Sequence, residues 1–342
     1  MNQKVAIILL NWNGWRDTIE CLESLYQITY PIFDVIVVDN GSEDESIEKI
    51  KKYCEGKIEV ESKFFEYDLI NKPIKIIEYM RAEIEGKLGK EKEIVDLPSN
   101  KKLILIKNEK NHGFCGGNNI GMEYAMKALN SDYILLLNND TVVDKEFLTE
   151  LLKVAESNSK IGIVGSKNYF YGEPNIIQFA GGVIDYSFGE ARSIGVGSID
   201  EGQYDEISEV DFVDGSALLI KKEVVEKAGM LDPDYFTYWD DPDFCVRAYK
   251  SGYKTVYVPK ARMWHKVSGT SGRVSSLFVY YTTRNKFLFI KKNTLKYQFL
   301  KFSFLFFLIR VPLSLGSFLI HRQWHQTKAF IKGIIDGVKW KK

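Results

Sequence analysis

Polar side chains follow an apolar segment at residues 133–143, and they are the first candidates for chemistry. The segment reads YILLLNNDTVV, so its apolar run ends on Asn138, Asn139 and Asp140. Such a run predicts a strand that is buried on both faces, as the strands of parallel sheets usually are. Ligands bind at the carboxyl ends of these strands, but Asn and Asp are also common in turns. On its own, the segment is compatible with a turn as well as with a ligand site.

Two earlier strands are predicted to end on similar polar segments. The first strand is followed by NWNG at residues 11–14, and the second by DNGS at residues 39–42. The Asp39 carboxylate, just past a buried strand, is placed to accept hydrogen bonds from a ribose or a base, and Gly41 allows a tight turn. A turn without a ligand is an equal alternative for this piece in isolation.

The glycine-rich segment NHGFCGGNN, at residues 111–119, precedes a predicted helix. Its three glycines, Gly113, Gly116 and Gly117, leave backbone amides open at the helix start, which suits an anion. The pattern matches neither the Walker A loop nor GxGxxG, so by itself it points only weakly to phosphate. If the strand ends converge, the oxygen atoms at residues 138–140 face a diphosphate, which is the setting that Mg²⁺ or Mn²⁺ requires.

The segment YWDDPDF contains three carboxylates within a stretch of four residues, those of Asp240, Asp241 and Asp243. Carboxylates so close repel one another, so at least one is expected to be held by partners or to have a raised pKa. Arg247 follows Asp243 by one helical turn, which predicts a structural ion pair. Asp240 or Asp241, beside Trp239, is the better candidate for a general base.

The first half of the chain alternates strand and helix patterns, which argues for a parallel sheet with right-handed crossovers. Strands are predicted at KVAIILLNW, FDVIVVDNGS, KKLILIKNEKN and DYILLLNND, and helices at WRDTIECLESLYQ, EDESIEKIKKYC and GGNNIGMEYAMKAL. The Lys/Glu-rich segment at about 57–102 is interpreted as an insertion at the sheet edge, partly helical and solvated.

The second half predicts short strands, loops and one helix near PDFCVRAYKSGY. One predicted strand, YKTVYVPKARMWH, ends on His265, and a Gly/Ser-rich loop follows at residues 267–274. A lone His is usually structural, but this position leaves the role of a ligand open.

The composition is that of a folded protein, with 342 residues, 45% hydrophobic residues and a net charge of zero. This balance gives no support for nucleic acid as the main partner, because nucleic-acid-binding domains usually carry a basic excess. The cysteines, Cys21, Cys54, Cys115 and Cys245, form no CxxC pair and are interpreted as free thiols in a reducing compartment. The segment MNQKVAIILLNWNG predicts a first strand, not a secretion signal, so we expect the site to face the cytosol.

The C-terminal segment is rich in Phe and approaches the length of a membrane span from Phe299 to Ile320. Lys301 and Arg310 interrupt it, and Pro312 is expected to bend a helix. We therefore favour an interfacial helix at the cytoplasmic face of the membrane over a helix packed on the core, and both over a span.

Taken in order, six segments resemble the family 2 glycosyltransferases, which are inverting enzymes with the GT-A fold. They are ILLNWNG, VIVVDNGSEDES, NHGFCGGNNIGM, YILLLNNDTVV, VDFVDGSALLIKKEVVEKAGMLDPDYFTYWDDPDFCVRAYKSGY and VPKARMWHKVSGTS. The likeness is greatest to the rhamnosyltransferase-like branch that builds surface polysaccharides, and it covers about Val5 to Lys292. It implies an α/β GT-A domain with a mostly parallel central sheet at residues 1–292, followed by a hydrophobic helical tail at residues 293–342.

The resemblance also implies roles for matching residues. Asp39 would contact the base or ribose, Asp140 and His265 would bind a divalent metal (Mg²⁺ or Mn²⁺), and Asp241 would be the catalytic base, with Asp240 first in the acidic pair. The implied donor-binding residues are Asn11, Asn13, Asp39, Asn40, Asn111, Gly113, Gly116, Gly117, Asn118, Asn119, Asn138 and Asn139. The implied acceptor-side residues are Asp214, Gly215 and Trp239.

The implied reaction uses a nucleotide-diphospho-sugar donor, such as a UDP- or dTDP-sugar of the rhamnose type, and a glycan or lipid-linked acceptor. Asp241 would take the proton from an acceptor hydroxyl, which attacks the anomeric carbon opposite the leaving diphosphate and inverts it. The metal and loop amides would offset the charge on that diphosphate. One departure from the family motif is that Asn138 replaces the first Asp of Asp-x-Asp, which puts the metal requirement in question.

Two alternatives remain at this point. A nucleotidyltransferase shares the nucleotide-binding sheet but would need a glycine-rich loop with a basic residue after the first strand, which NWNGWRD does not convincingly supply. A non-catalytic carbohydrate- or lipid-binding protein on a transferase scaffold would be expected to lose the acidic pair, but Asp240 and Asp241 are both present.

Overall fold

The computed structural model describes residues 3–84, 86, 88–266 and 275–341. The strands in chain order are β1 (Val5–Asn11), β2 (Phe33–Asp39), β3 (Lys75–Met80), β4 (Lys102–Lys107), β5 (Tyr133–Asn138), β6 (Thr141–Val143), β7 (Ile161–Phe170), β8 (Ile177–Phe179), β9 (Gly182–Asp185), β10 (Glu190–Ser193), β11 (Ser208–Glu209), β12 (Ala217–Lys221) and β13 (Lys254–His265). All but β9 and β10 form one sheet in the order β11-β13-β7-β12-β5-β1-β2-β4-β3, with β6 paired to β13 and β8 to β7.

The half of the sheet from β5 to β3 is parallel throughout. Strand β12 runs antiparallel between β5 and β7, while β13 is parallel to β7. Strands β9 and β10 form a separate antiparallel hairpin. The predicted α/β architecture with a mixed, mostly parallel central sheet is confirmed.

Helices cover both faces of the sheet, and further helices follow at the C-terminus. They are α1 (Trp15–Tyr26), α2 (Ser46–Cys54), α3 (Arg81–Ile84), α4 (Gly113–Tyr124), α5 (Phe147–Ala155), α6 (Lys222–Ala228), α7 (Asp240–Lys250), α8 (Ser276–Asn293), α9 (Lys296–Leu305), α10 (Val311–Ile320) and α11 (Trp324–Lys339). Two large apolar cores result, one on each face of the sheet, and a small third cluster contains Tyr169, Ile177, Ala180 and Tyr257.

Strand register brings the carboxyl ends of the central strands to one edge. Strand β1 pairs Asn11 with Asp39 of β2, and its Leu10 with Asn138 of β5. Strands β1 and β2 are buried along almost their whole length, so a shift of register would expose apolar side chains to solvent. The polar residues after these strands therefore meet at a fixed place.

The charged insertion at 57–102 lies at the sheet edge, as expected, but it also contains a strand that the sequence analysis did not predict. Strand β3 pairs in parallel with β4 and ends the sheet. The helical parts of the insertion are short. They are α3 and the 3₁₀ turns Leu69–Asn71, Lys90–Glu93 and Ser99–Lys101. In the strand KIIEYM only Ile77 and Tyr79 are buried, because an edge strand needs one apolar face and tolerates charge elsewhere.

The second half also departs from the expected single helix. Helices α5 and α6 are present as well as α7, and strand β12 (Ala217–Lys221) includes only the last four residues of VDFVDGSALLI. Residues 211–216 instead form a connection that carries two of the acceptor-side candidates, Asp214 and Gly215. The Gly/Ser-rich loop at 267–274 lies outside the described residues.

The tail forms a continuous helix over Lys296–Ile320, which combines α9, a π segment at Phe306–Arg310, and α10. By length and composition it is long and apolar enough to cross a membrane. Pro312 lies at the start of α10, directly after the π segment, a position where a helix tolerates a residue without a backbone N–H.

The tail helix presents two different faces. Phe302 and Phe306 are buried on one face, with ring centroids 5.2 and 4.9 Å from that of Phe287 on α8. On the other face, Phe304 and Leu308 are 66% and 60% exposed. One face thus packs on the domain and the other is apolar surface.

Candidate active site

The Asn11 and Asp39 side chains lie together at the ends of β1 and β2, where they would form the floor of the predicted donor pocket. The Asn11 amide donates to Asp39 Oδ1 at 2.8 Å and to Ser42 Oγ at 3.1 Å, while its oxygen accepts from Thr18 Oγ1 at 2.8 Å. Asp39 Oδ2 accepts the backbone N–H of Ser42 at 3.1 Å. Asn13, in the left-handed region at φ 53°, accepts backbone N–H groups of the loop after β2. The structure brings these three predicted residues together.

Asn40 connects this floor to the glycine-rich segment. Its amide nitrogen donates to Asn111 Oδ1 at 3.0 Å and to the Gly113 carbonyl at 3.1 Å. Its oxygen accepts from the Asn108 amide and the His112 N–H, both at 3.1 Å. These four contacts hold the loop before α4 against the end of β2.

The glycines of this segment permit close packing. Gly113 has φ +73°, and a Cβ there would lie 2.5 Å from the ring of Phe236. A Cβ on Gly117 would lie 2.4 Å from Leu10, and one on Gly116 would lie 2.9 Å from the His112 side chain. The glycines therefore let α4 approach β1 and the loop before α7; their contact with a donor stays a prediction.

The Asn118 and Asn119 side chains make contacts within the protein. The Asn118 amide donates to the carbonyl of Phe114 at 3.0 Å. Asn119 binds both backbone groups of Leu231, donating to its carbonyl at 2.7 Å and accepting its N–H at 3.0 Å. Asn119 thus ties α4 to the segment that leads into the loop before α7, at residues 235–239, which is called the acidic loop because Asp240 and Asp241 follow it. A donor-binding role for either Asn118 or Asn119 stays a prediction.

Asp140 and His265 converge at the predicted metal position. Asp140 Oδ1 lies 3.1 Å from His265 Nε2, and the Asn138 amide lies 3.4 Å from the same nitrogen. Burial alone would lower the pKa of His265, but the hydrogen bond and charge of Asp140 outweigh it, so the pKa is raised. Asn139 points away and donates to Thr18 Oγ1 at 2.9 Å.

Gln178 was not predicted as a site residue, yet it orients the histidine. Its side-chain amide lies 3.1 Å from His265 Nδ1, which leaves Nε2 directed at Asp140. Such a partner on the second ring nitrogen is typical of metal-binding histidines. Among the described residues, no group of three or more His, Cys, Asp or Glu side chains is arranged to hold a metal ion.

Asp241 is the member of the acidic pair that faces open space. It lines a cleft of about 840 Å³, and its Oδ2 accepts the Gly215 N–H at 3.1 Å. Burial, followed by the negative charges of Asp240 and Asp214, raises the pKa of Asp241 well above its usual range. Asp240 is only 3% exposed, and burial also raises its pKa. Asp214 and Trp239 line the same cleft, so the structure groups the predicted acceptor-side residues.

The loop before α7 has an unusual backbone. Phe236, Tyr238 and Trp239 have φ values of 64°, 64° and 71°, a region that residues with side chains rarely adopt. Strain of this kind persists only where surrounding contacts impose it, and it is common at active sites. The loop directly precedes Asp240 and Asp241 and so fixes their position.

Asn285 on α8 holds this loop, and the sequence analysis missed it. It is fully buried, and its amide nitrogen lies 2.9, 2.8 and 3.0 Å from the carbonyl oxygens of Tyr235, Thr237 and Tyr238. The sequence signal for Asn285 was a polar amide next to the apolar residues Phe287 and Leu288 of one helix. A polar side chain that is buried in this way usually has hydrogen-bond partners. The expected ion pair between Arg247 and Asp243 is confirmed at 2.7 Å.

Comparison with models of protein families shows to which family the chain belongs. Residues 91–286 match the family described as "Glycosyltransferase like family 2", and residues 6–69 match "Glycosyl transferase family 2". The first match alone covers more than half of the chain. The chain belongs to glycosyltransferase family 2. The resemblance inferred from the sequence is confirmed, and the protein is a glycosyltransferase.

This glycosyltransferase is similar to characterised relatives. It is 28% identical over 293 residues to the low-salt glycan biosynthesis hexosyltransferase Agl10 of Haloferax volcanii, covering 84% of this chain and 76% of the relative. It is 26% identical over 205 residues to the dTDP-rhamnosyl transferase RfbF of Shigella flexneri, covering 56% and 64%.

Solved structures confirm the GT-A fold. The mannosyltransferase PcManGT from Pyrobaculum calidifontis, in complex with GDP-Man and Mn²⁺, superposes with a TM-score of 0.57 at 12% identity, covering 100% of this chain and 89% of that one. GalNAc-T7 with UDP, GalNAc and Mn²⁺ gives 0.55 at 15% identity, covering 84% and 48%.

Asn285 provides a first test of the site. Asn285→Ala removes the two N–H groups that three carbonyls share, so we expect the loop to relax and the kcat of sugar transfer to fall about tenfold or more, equivalent to ~1.4 kcal/mol. Asn285→Asp, which replaces donors by acceptors, should lower kcat at least as much. Asn293→Ala, on the same helix but bonded to Asp243, is the control. Nucleotide binding by calorimetry should be unchanged, and an unchanged kcat in both Asn285 variants would contradict the positioning role.

Proposed function

We propose that this glycosyltransferase transfers a sugar from a nucleotide-diphospho-sugar to a hydroxyl group of an acceptor, with inversion at the anomeric carbon. The observation that carries the proposal is the Asp241 carboxylate, which faces the cleft from the start of α7 with a raised pKa. A general base works best when its pKa lies near the operating pH, and burial beside Asp240 moves a carboxylate in that direction.

The donor would bind at the carboxyl edge of the parallel strands. The Asn11 and Asp39 corner suits a ribose or a base, because its oxygen and nitrogen atoms are fixed by internal hydrogen bonds before a ligand arrives. The relative from Shigella flexneri is named for a dTDP-sugar, which makes dTDP and UDP the first nucleotides to test.

Asp140 and His265 fit a divalent cation as a pair of ligands. Their side-chain atoms lie 3.1 Å apart, and Gln178 fixes the histidine ring. One oxygen and one nitrogen ligand make an incomplete set, so oxygen atoms of the donor diphosphate would supply others. A bound Mg²⁺ or Mn²⁺ would offset negative charge on the diphosphate.

The protein's own residues then account for the transfer. Asp241 accepts the proton of the acceptor hydroxyl, while Gly215 N–H holds its second oxygen in place. Attack from the cleft side expels the nucleoside diphosphate from the opposite side, so one displacement inverts the anomeric centre. Asp214 and Trp239, on the wall of the cleft, would contact the acceptor sugar.

We further propose that the enzyme works at the cytoplasmic membrane surface. The exposed apolar face of the tail helix includes Phe304, Leu308 and Leu313, and Trp324 follows at 61% exposure. Apolar and aromatic side chains interspersed with Lys301 and Arg322 suit the boundary between headgroups and acyl chains. A lipid-linked acceptor would be reached from that boundary.

The acidic pair can be tested by pH. Asp241→Asn should lower kcat by about 10²–10⁴-fold, the usual contribution of a general base. Asp240→Asn removes a negative charge beside Asp241, so the pKa of Asp241 falls and the acid limb of the kcat/KM profile moves to lower pH. An acid limb that stays in place would show that Asp241 is not the titrating base.

The metal site can be tested by nucleotide binding. Calorimetry with UDP and dTDP should show binding that is at least about tenfold tighter with Mn²⁺ than with EDTA. Asp140→Ala should abolish this difference, whereas Glu146→Ala, at an exposed carboxylate nearby in the chain, should retain it. Equal binding in EDTA would remove the metal role from Asp140 while keeping the transferase.

Membrane binding can be tested by co-sedimentation with vesicles of phosphatidylcholine and phosphatidylglycerol. The full chain should sediment, and the double variant Phe304→Glu/Leu308→Glu should stay in solution, because charge on the apolar face opposes insertion. Ile70→Glu, at a residue that is 73% exposed on the sheet-edge insertion, serves as the control. If the double variant sedimented with the vesicles to the same extent as the wild type, this face would be ruled out as the membrane contact.

A further inference from the structure

Lys286 is a buried cation in the wall of the catalytic cleft. It lies on α8, one residue after Asn285, and is 9% exposed. Its stem packs beside Gly189 and Phe302, and its Nζ lies 5.9 Å from the ring centroid of Phe306. Over the ranges of the chain that the structure describes, its ammonium has no hydrogen bond and no ion pair.

An unpaired buried ammonium destabilises a protein unless a ligand compensates for it. Burial, with a further contribution from Arg310, lowers the pKa of Lys286 to about 8, and Glu190 offsets only part of this. A charge kept at this cost, on the wall of a cleft that also contains Asp241, indicates a site for an anion.

The neighbouring charges add to this positive end of the cleft. Arg310 lies 3.8 Å from Glu190, whose carboxylate is bound more closely by Arg192 at 2.7 Å. One carboxylate is therefore shared among cations, and the Arg310 guanidinium, about half exposed, retains donors for a ligand. Its planar fork matches the oxygen atoms of a phosphate group.

An apolar wall accompanies the cations. Phe306, Phe318 and Phe330, from the tail helix and α11, line the same cleft, and Phe278 and Val279 lie on the α8 side. The exposed apolar face belongs to the same helix that supplies Phe306 and Phe318. The cleft thus combines carboxylates for a hydroxyl, cations for an anion, and an aromatic surface for a hydrocarbon chain.

We propose that Lys286 and Arg310 form a subsite for the phosphate or diphosphate group of a lipid-linked acceptor. The lipid chain lies along the aromatic wall, and the sugar attached to the phosphate extends to Asp241. This assignment rests on the proposed function, since it specifies the class of acceptor for the same cleft. Free diphosphate and phospholipid headgroups share the anionic chemistry, but neither uses the carboxylates, the cations and the aromatic wall together.

The subsite can be tested by direct binding of farnesyl diphosphate to the full chain in detergent micelles. Saturating UDP or dTDP, whichever the wild type binds, blocks the donor diphosphate position. The variants are Lys286→Met and Arg310→Gln, and Lys296→Gln, at an exposed cation that begins the same helix as Arg310, is the control. We expect each subsite variant to weaken binding at least tenfold and Lys296→Gln to change it less than twofold.

Stability gives a second readout for Lys286. Since its ammonium is buried with no hydrogen bond or ion pair to the described residues, Lys286→Met should leave the thermal midpoint of the ligand-free protein unchanged or raise it. A purely structural lysine would behave in the opposite way. A lower midpoint together with unchanged farnesyl diphosphate binding would overturn the proposal.

Three further ligands separate the possible sources of the anion. Farnesol should bind at least tenfold more weakly than its diphosphate, because it has no anionic group for the two cations. Inorganic diphosphate should also bind more weakly, because it has no hydrocarbon chain for the aromatic wall. Dihexanoyl phosphatidic acid that binds as tightly as farnesyl diphosphate, with the same loss in the variants, would overturn the acceptor assignment in favour of a phospholipid site. If no nucleotide binds but farnesyl diphosphate binding still depends on Lys286, the proposed function fails and the anion subsite stands.

Discussion

Parallel pairing of β1 with β2 on one side and β5 on the other is the constraint on which the site depends. The pairing is in register to the last residues, so Asn11 meets Asp39 and Leu10 meets Asn138. Because these strands are buried on both faces, a slip by one residue would reverse every side chain. The buried apolar side chains therefore determine where the polar ends lie, and the internal hydrogen bonds of Asn11 and Asn40 then fix the loops that follow.

The acidic loop shows how opposing electrostatic effects are balanced. Burial and mutual repulsion raise the pKa values of Asp240 and Asp241. The N–H groups at the start of α7 and of Gly215 favour the charged forms. The left-handed residues before the helix set this geometry, and Asn285, from another helix, binds carbonyl groups of the same loop. The positions of the two carboxylates thus depend on residues that are far apart in the sequence.

The sequence was sufficient for features that depend on local patterns. Alternating strand and helix patterns predicted β1, α1, β2, α2, β4, α4 and β5, and the Asp243–Arg247 pair followed from helical spacing. The features it missed depend on contacts between distant segments: Gln178 with His265, Asn285 with the acidic loop, and Lys286 in the cleft. Strand β3 was missed because an edge strand among charges buries few side chains, so its alternation is weak.

The tail helix forms part of the wall of the cleft that contains Asp241. The helix Lys296–Ile320 supplies Phe306, Arg310 and Phe318 to the cleft wall, and it exposes Phe304 and Leu308 on its other side. Its packing on Phe287 of α8 places it beside Asn285 and Lys286, which serve the acidic loop and the cleft. A ligand that moves from the exposed apolar face into the cleft would stay in contact with aromatic side chains, and its charged group would meet the cations before its sugar reached Asp241. Acceptor recognition would then begin at the tail, while the proposed donor pocket lies at the carboxyl ends of β1, β2 and β5, where the Asn138 N–H donates to the Ser216 carbonyl beside Gly215.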